Sequence, residues 1–226
     1  ELIWKLQLVM DGKAPEALLD TYSADRTFAA DENLMNSTRS TDFITPKSRV
    51  SKVFRNAVLD LAQDHAFARR LVNSGRLSVP AFLTKSALNT PDSDSFAGDM
   101  VPGAPMDDAP IQRAGQDAWL LDQLGNRFQL LVFADSAGAV DAATLAQFKS
   151  LAGDAIAVEP VVVTPSGGQI DGVTVLADSQ GLVARRYDAK PGTAYLVRPD
   201  QHVAARWRAF DPPRVRAAVA RATCNA

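Results

Sequence analysis

The sequence predicts an α/β protein in which a helical segment precedes an α/β domain. Three observations carry that reading. Residues 1–77 place apolar side chains at helical spacing and contain no strand-like alternation. After residue 128, short apolar runs bounded by turn residues alternate with helical stretches. Between them lies a stretch rich in Pro, Asp, Ser and Gly. The expected organisation is a helical segment over 1–77, a linker over 78–113 and an α/β domain over 114–226.

The first helix is already periodic at Leu2, Ile3, Leu6, Val9 and Met10, with no Ser, Thr, Asp or Asn cap and no initiator Met before it. This pattern implies that the chain begins inside a helix. Asp11-Gly12 breaks the pattern, and Pro15 suits the first turn of a second helix whose stripe is Leu18, Leu19, Tyr22 and Phe28. RSTDFITPKS, with Pro46, reads as a loop. Residues 49–73 read as one amphipathic helix with Val53, Val58, Leu61, Phe67 and Leu71 along one side and Gly75 as its stop.

In the second half, residues 128–134 form an apolar strand and 141–153 a helix capped by Asp141 and stopped by Gly153. Residues 156–163 form a strand in which Pro160 implies an edge or bulge. VTVLAD (173–178) leads into DSQGLVARRYD, which reads as a short helix although alternation also allows a strand. Residues 193–198 and 202–207 make a hairpin around Pro-Asp-Gln, and Asp211 caps a last helix that Pro212 opens, with Val215 and Val219 inward. This order implies a small sheet with helices on both faces.

With 46% hydrophobic and 22% charged residues the composition is that of a globular protein, and a net charge of −2 gives no reason to expect nucleic acid or an anionic membrane as partner. No run approaches the length of a membrane span and no signal peptide is legible. From Arg185 onward there are nine Lys/Arg against three Asp/Glu. That basic end either docks on the protein's own acidic half, is solvated, or meets an acidic partner. Arg185, Arg186, Arg206 and Arg208 read as solvated or as contacts to further domains. The single Cys224 excludes an internal disulfide and a CxxC pair, and fits a reducing cytoplasm. His65 reads as a surface or packing residue and His202 as an exposed strand residue.

Two stretches resemble a known family. WKLQLVMDGKAPEALLDTYSADR resembles the helix pair that closes the FAD-binding region of the flavin-dependent aromatic-ring hydroxylases, through Leu2, Trp4, Lys5, Leu6, Gly12, Ala17, Leu18, Leu19, Tyr22 and Arg26. Glu1, Asp25 and Thr27-Phe28 depart from the family's usual Asn, Glu and Arg-Pro. GDMVPGAPMDDAPI, WLLDQLGNRFQLLVF and above all YDAKPGTAYLVRPDQHVAARWR are similar to the C-terminal thioredoxin-like domain of phenol- and hydroxyphenylpropionate-hydroxylase-type members. The resemblance implies a thioredoxin-like domain lacking CxxC and the C-terminal part of an FAD-dependent aromatic hydroxylase that uses NAD(P)H. It implies that the remaining FAD and substrate domains of the same polypeptide are the chain's partners, and it leaves a homo-oligomer open.

No GxGxxG follows a strand, so no flavin site is expected in this chain. The position where thioredoxin-like proteins carry a reactive thiol holds Ser136, with no activating His or Lys nearby in sequence. No catalytic, cofactor-binding or metal-binding residue is therefore assigned, and a thiol peroxidase is disfavoured. Pro191 occupies the place of the family's cis-proline, with cis and trans both open. The alternative to a hydroxylase fragment is a self-contained, non-catalytic thioredoxin-like module for binding or oligomerisation.

Overall fold

The computed structural model describes residues 1–72 and 80–226. They form two compact units, one made of Glu1–Asp25 with Leu83–Ala226, the other of Arg26–Phe82. These units cross the expected boundaries, because the first 25 residues group with the second half of the chain. The expected Gly75 stop and the start of the expected linker lie outside the described residues.

Helix α2 (Ala17–Ile44), which belongs to the helical unit from Arg26 on, runs through most of the stretch read as a loop and ends two residues before Pro46. The residue before a proline is driven out of the helical region, which places the stop at Thr45. Ser48 caps α3 (Arg49–Asp64) by accepting the Ser51 N–H at 3.0 Å. The helix expected over 49–73 is broken at His65, whose backbone is extended (φ −119°, ψ 120°), before α4 (Ala66–Val72). The break is stabilised by Arg69, whose guanidinium donates to the freed carbonyls of Ala62 and Gln63 at 2.9 and 2.8 Å. His65 itself stacks on Phe67 at 5.7 Å. Of the expected stripe only Val58 is buried, while Val53, Leu61, Phe67 and Leu71 are exposed.

In the other unit, α1 (Leu2–Met10) ends in a turn at Asp11 and Gly12, where Gly12 takes the positive φ of 67° that closes it. The seven-stranded sheet comprises β1 (Pro110–Arg113), β2 (Gln116–Trp119), β3 (Phe128–Phe133), β4 (Val158–Thr164), β5 (Thr174–Ala177), β6 (Ala194–Val197) and β7 (Val203–Trp207), in the order β2-β1-β5-β4-β3-β6-β7. Strands β3 and β4 are parallel, and β6 and β7 follow antiparallel. With helices α5 (Ala142–Ala152) and α7 (Pro212–Ala222) this is the thioredoxin-like βαβ…ββα arrangement. Strand β5 extends it in parallel, and the β1–β2 hairpin adds a further antiparallel pair.

Strand β1 lies inside the stretch read as a linker, and the hairpin turn Ala114-Gly115 carries no Asn-Gly or Asp-Gly signal. Both turn residues nevertheless have positive φ, 50° and 80°, as a two-residue turn requires. Pro160 sits on β4 just before pairing with β5 begins at Val161, so it falls where that side of the strand is still open. Asp141 caps α5 by accepting the Thr144 N–H at 2.7 Å, whereas Asp211 stands at the α7 N-cap without a side-chain bond. The short helix within DSQGLVARRYD is α6 (Leu182–Arg186). No cis peptide bond occurs among the described residues, so the bond before Pro191 is trans.

Alternation along the strands divides two cores. Phe128, Leu130 and Val132 face α5 and α7 and meet Phe148, Leu151, Val215 and Ala218, joined by Trp4 and Leu18 from the N-terminal helices. Leu18 is fully buried here. Phe133 and Tyr195 point to the opposite face, where Tyr187 closes an aromatic cluster with centroid distances of 5.3–6.4 Å. This second face is covered by α6 and by the irregular segment 83–109, where helices were expected on both faces.

That segment is far from a free linker. Its residues Leu83, Leu88, Met100, Ala104 and Met106 are buried, and its backbone bonds to the edge of β7 through Thr90 N–Ala204 O, Gly103 N–Val203 O and Val203 N–Ala104 O at 2.7–2.9 Å. Gly103, with φ of 92°, lies where an added Cβ would stand 2.4 Å from the Leu83 carbonyl oxygen. Phe148 is completely buried between the sheet and α7. Phe148→Ala is expected to destabilise the fold by about 3–5 kcal/mol, read from urea unfolding of the purified chain.

Candidate functional site

The densest cluster of ionisable groups lies where α1, the first turns of α2 and the β6–β7 connection meet. Lys5 and Arg198 have side chains with 0% exposure, and Glu1, Asp25 and Asp200 have 8%, 4% and 6%. Lys5 Nζ donates to Thr21 Oγ1 at 2.9 Å, to Glu1 at 3.2 Å and to Asp25 at 3.4 Å. Arg198 grips Asp200 with two bonds, Nε–Oδ1 at 3.0 Å and Nη2–Oδ2 at 2.9 Å, the forked geometry a guanidinium favours. It also approaches Glu1 at 3.6 Å and Asp25 at 3.9 Å. The Trp4 indole N–H donates to Asp200 Oδ2 at 2.9 Å, and the Trp4 ring packs edge-on against Phe128 at 5.7 Å.

Burial alone would raise the Asp200 carboxyl above its ordinary range. Hydrogen bonding to His202 and the charge and bonds of Arg198 outweigh it and hold the group well below that range. His202 is not the exposed strand residue expected. Its side chain is 14% exposed and its Nδ1 lies 3.0 Å from the Asp200 carbonyl oxygen and 3.3 Å from its carboxylate.

A second ionic group fastens the segment 83–109. Arg206 is buried, donates to both Asp92 oxygens at 2.7–3.2 Å and to the Met100 carbonyl at 3.1 Å, and lies over the Phe96 ring at 4.4 Å. Arg208 covers the same ring at 3.7 Å, donates its backbone N–H to Asp94 and its guanidinium to Ser95 O and Asp188. Both arginines, expected to be solvated or to face other domains, are thus spent on the chain's own acidic segment. Their carboxylate partners lie 114 positions upstream, apart from Asp188. Arg185 and Arg186 are exposed.

Ser136 follows β3 at the start of a short 3₁₀ turn, is exposed, and makes no capping bond. Cys224 is a free, half-buried thiol beyond the end of α7, and burial raises its pKa against the weaker pull of Lys5. No group of three His, Cys, Asp or Glu suited to a metal ion occurs among the described residues, and no helix among them is long and apolar enough to cross a membrane.

The family model for the HcaD C-terminal domain matches residues 109–222. The chain belongs to the HcaD C-terminal domain family. Its relatives include a 3-(3-hydroxy-phenyl)propionate/3-hydroxycinnamic acid hydroxylase of Mycobacterium sp. (strain JLS), 28% identical over 96% of this chain and 38% of that protein. A protein of the same description from Mycolicibacterium gilvum (strain PYR-GCK) is 27% identical over 94% of this chain and 37% of that protein. The chain thus spans well under half the length of the curated relatives it matches. Among solved structures, the ternary complex of aklavinone-11 hydroxylase with FAD and aklavinone aligns with TM-score 0.62 and 20% identity, over 98% of this chain and 38% of that one. The rebeccamycin biosynthetic enzyme RebC with bound 7-carboxy-K252c aligns with TM-score 0.64 and 21% identity, over all of this chain and 40% of that one. These likenesses establish the fold: helices followed by a mixed sheet, as in the C-terminal part of FAD-dependent hydroxylases.

The βαβ unit β3-α5-β4 of this chain carries residues that do not fit a flavin pyrophosphate. The turn before α5 carries a single glycine, Gly138, between Asp135 and Asp141. The Thr144 N–H in the first turn of α5 is already taken by the Asp141 carboxylate at 2.7 Å, and that bond lowers the Asp141 pKa. A diphosphate there would meet a carboxylate where the fold family's cofactor needs a free N–H and a glycine surface.

Asp200 carries a sign for acid stability. Its folded pKa lies below its unfolded value of about 3.9, so its contribution is complete above that pH and is lost as pH falls toward the folded value. Asp200→Asn is expected to cost about 2–3 kcal/mol at pH 7 and to flatten the loss of stability below about pH 4, as read from urea midpoints across pH. Asp92→Ala, which strips Arg206 of its carboxylate, is expected to cost about 1–3 kcal/mol and to open the segment 83–109 to limited proteolysis.

Proposed function

We propose that this chain is the C-terminal structural part of an FAD-dependent monooxygenase that hydroxylates an aromatic substrate with NAD(P)H, and that its thioredoxin-like domain takes no part in redox chemistry. The observation that carries the reading is the joint at Trp4, Lys5, Arg198 and Asp200. It fastens the helix pair that resembles the closing element of an FAD-binding region onto the sheet that belongs to the HcaD C-terminal family. Relatives described as hydroxylases, and structures of similar fold described with FAD, support the cofactor and reaction class.

On this reading FAD, NAD(P)H and the aromatic substrate are held by the part of such enzymes that lies beyond the span matched here, and those domains are this chain's partners. The exposed apolar residues Val53, Phe54, Phe67 and Leu71 supply area for that packing or for a homo-oligomer. The redox-inactive assignment is supported by Ser136 at the thiol position and by the raised Cys224 pKa. A lone cysteine and a hydroxylase role favour the cytoplasm.

The test is direct. The purified chain, mixed with excess FAD and passed through gel filtration, is expected to emerge colourless and to turn over no peroxide. Stoichiometric retained flavin would place a flavin site in this chain and overturn the assignment. Peroxide turnover abolished by Cys224→Ser would overturn the redox-inactive domain.

A further inference from the structure

We infer that the buried ionic cluster is a docking lock that decides which side of α1 faces the sheet. The inference stands on the cluster's geometry and does not depend on the hydroxylase reading. The buried residues of α1 are Trp4 and Lys5. Leu8 and Val9 pack partly against the core, but four other apolar side chains of α1 are left out, with Ile3 81%, Met10 77%, Leu6 42% and Leu2 41% exposed. Apolar burial alone would leave α1 two competing faces, since each of these four side chains would gain about 1.5–3 kcal/mol if turned toward the sheet.

What opposes that turn is the cost of separating paired charges under cover. Rotating Lys5 away leaves Asp25 without its ammonium partner, and rotating Trp4 away removes the indole donor from Asp200. Each loss strands a buried charge or acceptor, which outweighs a single aliphatic contact. A slide of one helical turn fails for the same reason, because Glu1 or Leu8 and Val9 would arrive where an ammonium is required. One donor of the cluster stays unsatisfied even in this arrangement. Arg198 Nη1 is buried without a hydrogen bond, its nearest carboxylate oxygen being that of Asp25 at 3.9 Å. An apolar cluster of equal volume would stabilise the contact as well or better but would accept several registers, and buried charge accepts one.

The experiment is a double-mutant cycle on the full chain, with Lys5→Met and Asp25→Leu singly and together. Urea unfolding is followed alongside hydrogen exchange of the α1 amides. Each single variant is expected to lower the folding equilibrium constant about tenfold or more, or to fail to fold, while the double variant recovers most of that loss. In the folded double variant the α1 amides are expected to exchange about tenfold faster relative to the strands, because the helix has lost its single orientation. A double variant that loses the sum of the two single effects, or that does not fold, overturns the lock by showing that the charges serve stability alone. A stable double variant whose α1 amides keep their protection overturns it as well.

Discussion

One guanidinium under complete cover organises this unit. Arg198 leaves the end of β6, turns back through Pro199, and meets carboxylates contributed by α1, α2 and its own turn. A charge at that depth is tolerable only while its partners stay in place. The helix pair, the hairpin turn and the sheet are therefore held to one mutual arrangement. Trp4 makes the electrostatic requirement and the apolar one coincide, since the indole that donates to Asp200 is also the side chain that lies against Phe128. The aliphatic core beyond, from Leu130 to Val219, supplies most of the burial, and α1 meets it through Trp4, Leu8 and Val9.

The opposite face is built on the same economy of charge. Phe96 is held between two guanidiniums and against Tyr195, and the acidic residues around it hold those guanidiniums in turn. An irregular segment without helix or strand of its own is thereby fixed by side chains and by backbone bonds to β7. Regular structure on that face is reduced to α6, whose second and third N–H groups, on Val183 and Ala184, are met by Asp178 at 3.1 and 2.8 Å.

Strands β3, β4, β6 and β7 and helices α5 and α7 were legible because each combines an apolar run with its own local punctuation, such as Asp141, Gly153 or Pro212. The resemblance of the Trp4-Lys5 helix and the Arg198-Asp200 hairpin was legible too, as two separate stretches. Their contact was not, since 196 positions separate Trp4 from Asp200 and nothing local marks either as the other's partner. For the same reason Arg206 read as a surface residue: a strand residue with a long cationic side chain has no local sign that Asp92 is waiting above it. The break at His65 was missed because apolar period continues across it, and the Arg69 bonds that stabilise it are invisible to periodicity. The stripe on α3 was legible as a stripe, but periodicity states only that a face is apolar and not that this chain covers it.

The pairing of residues 90–104 with β7 gives the sheet a polarity of assembly. One rim is sealed by the chain's own backbone, through Thr90, Gly103 and Ala104. At the other, β2 ends the sheet with Gln116 and Asp117 exposed. Among the described residues that rim carries a carboxylate and the exposed Trp119. A strand arriving at the β7 rim would first have to displace the chain's own segment there.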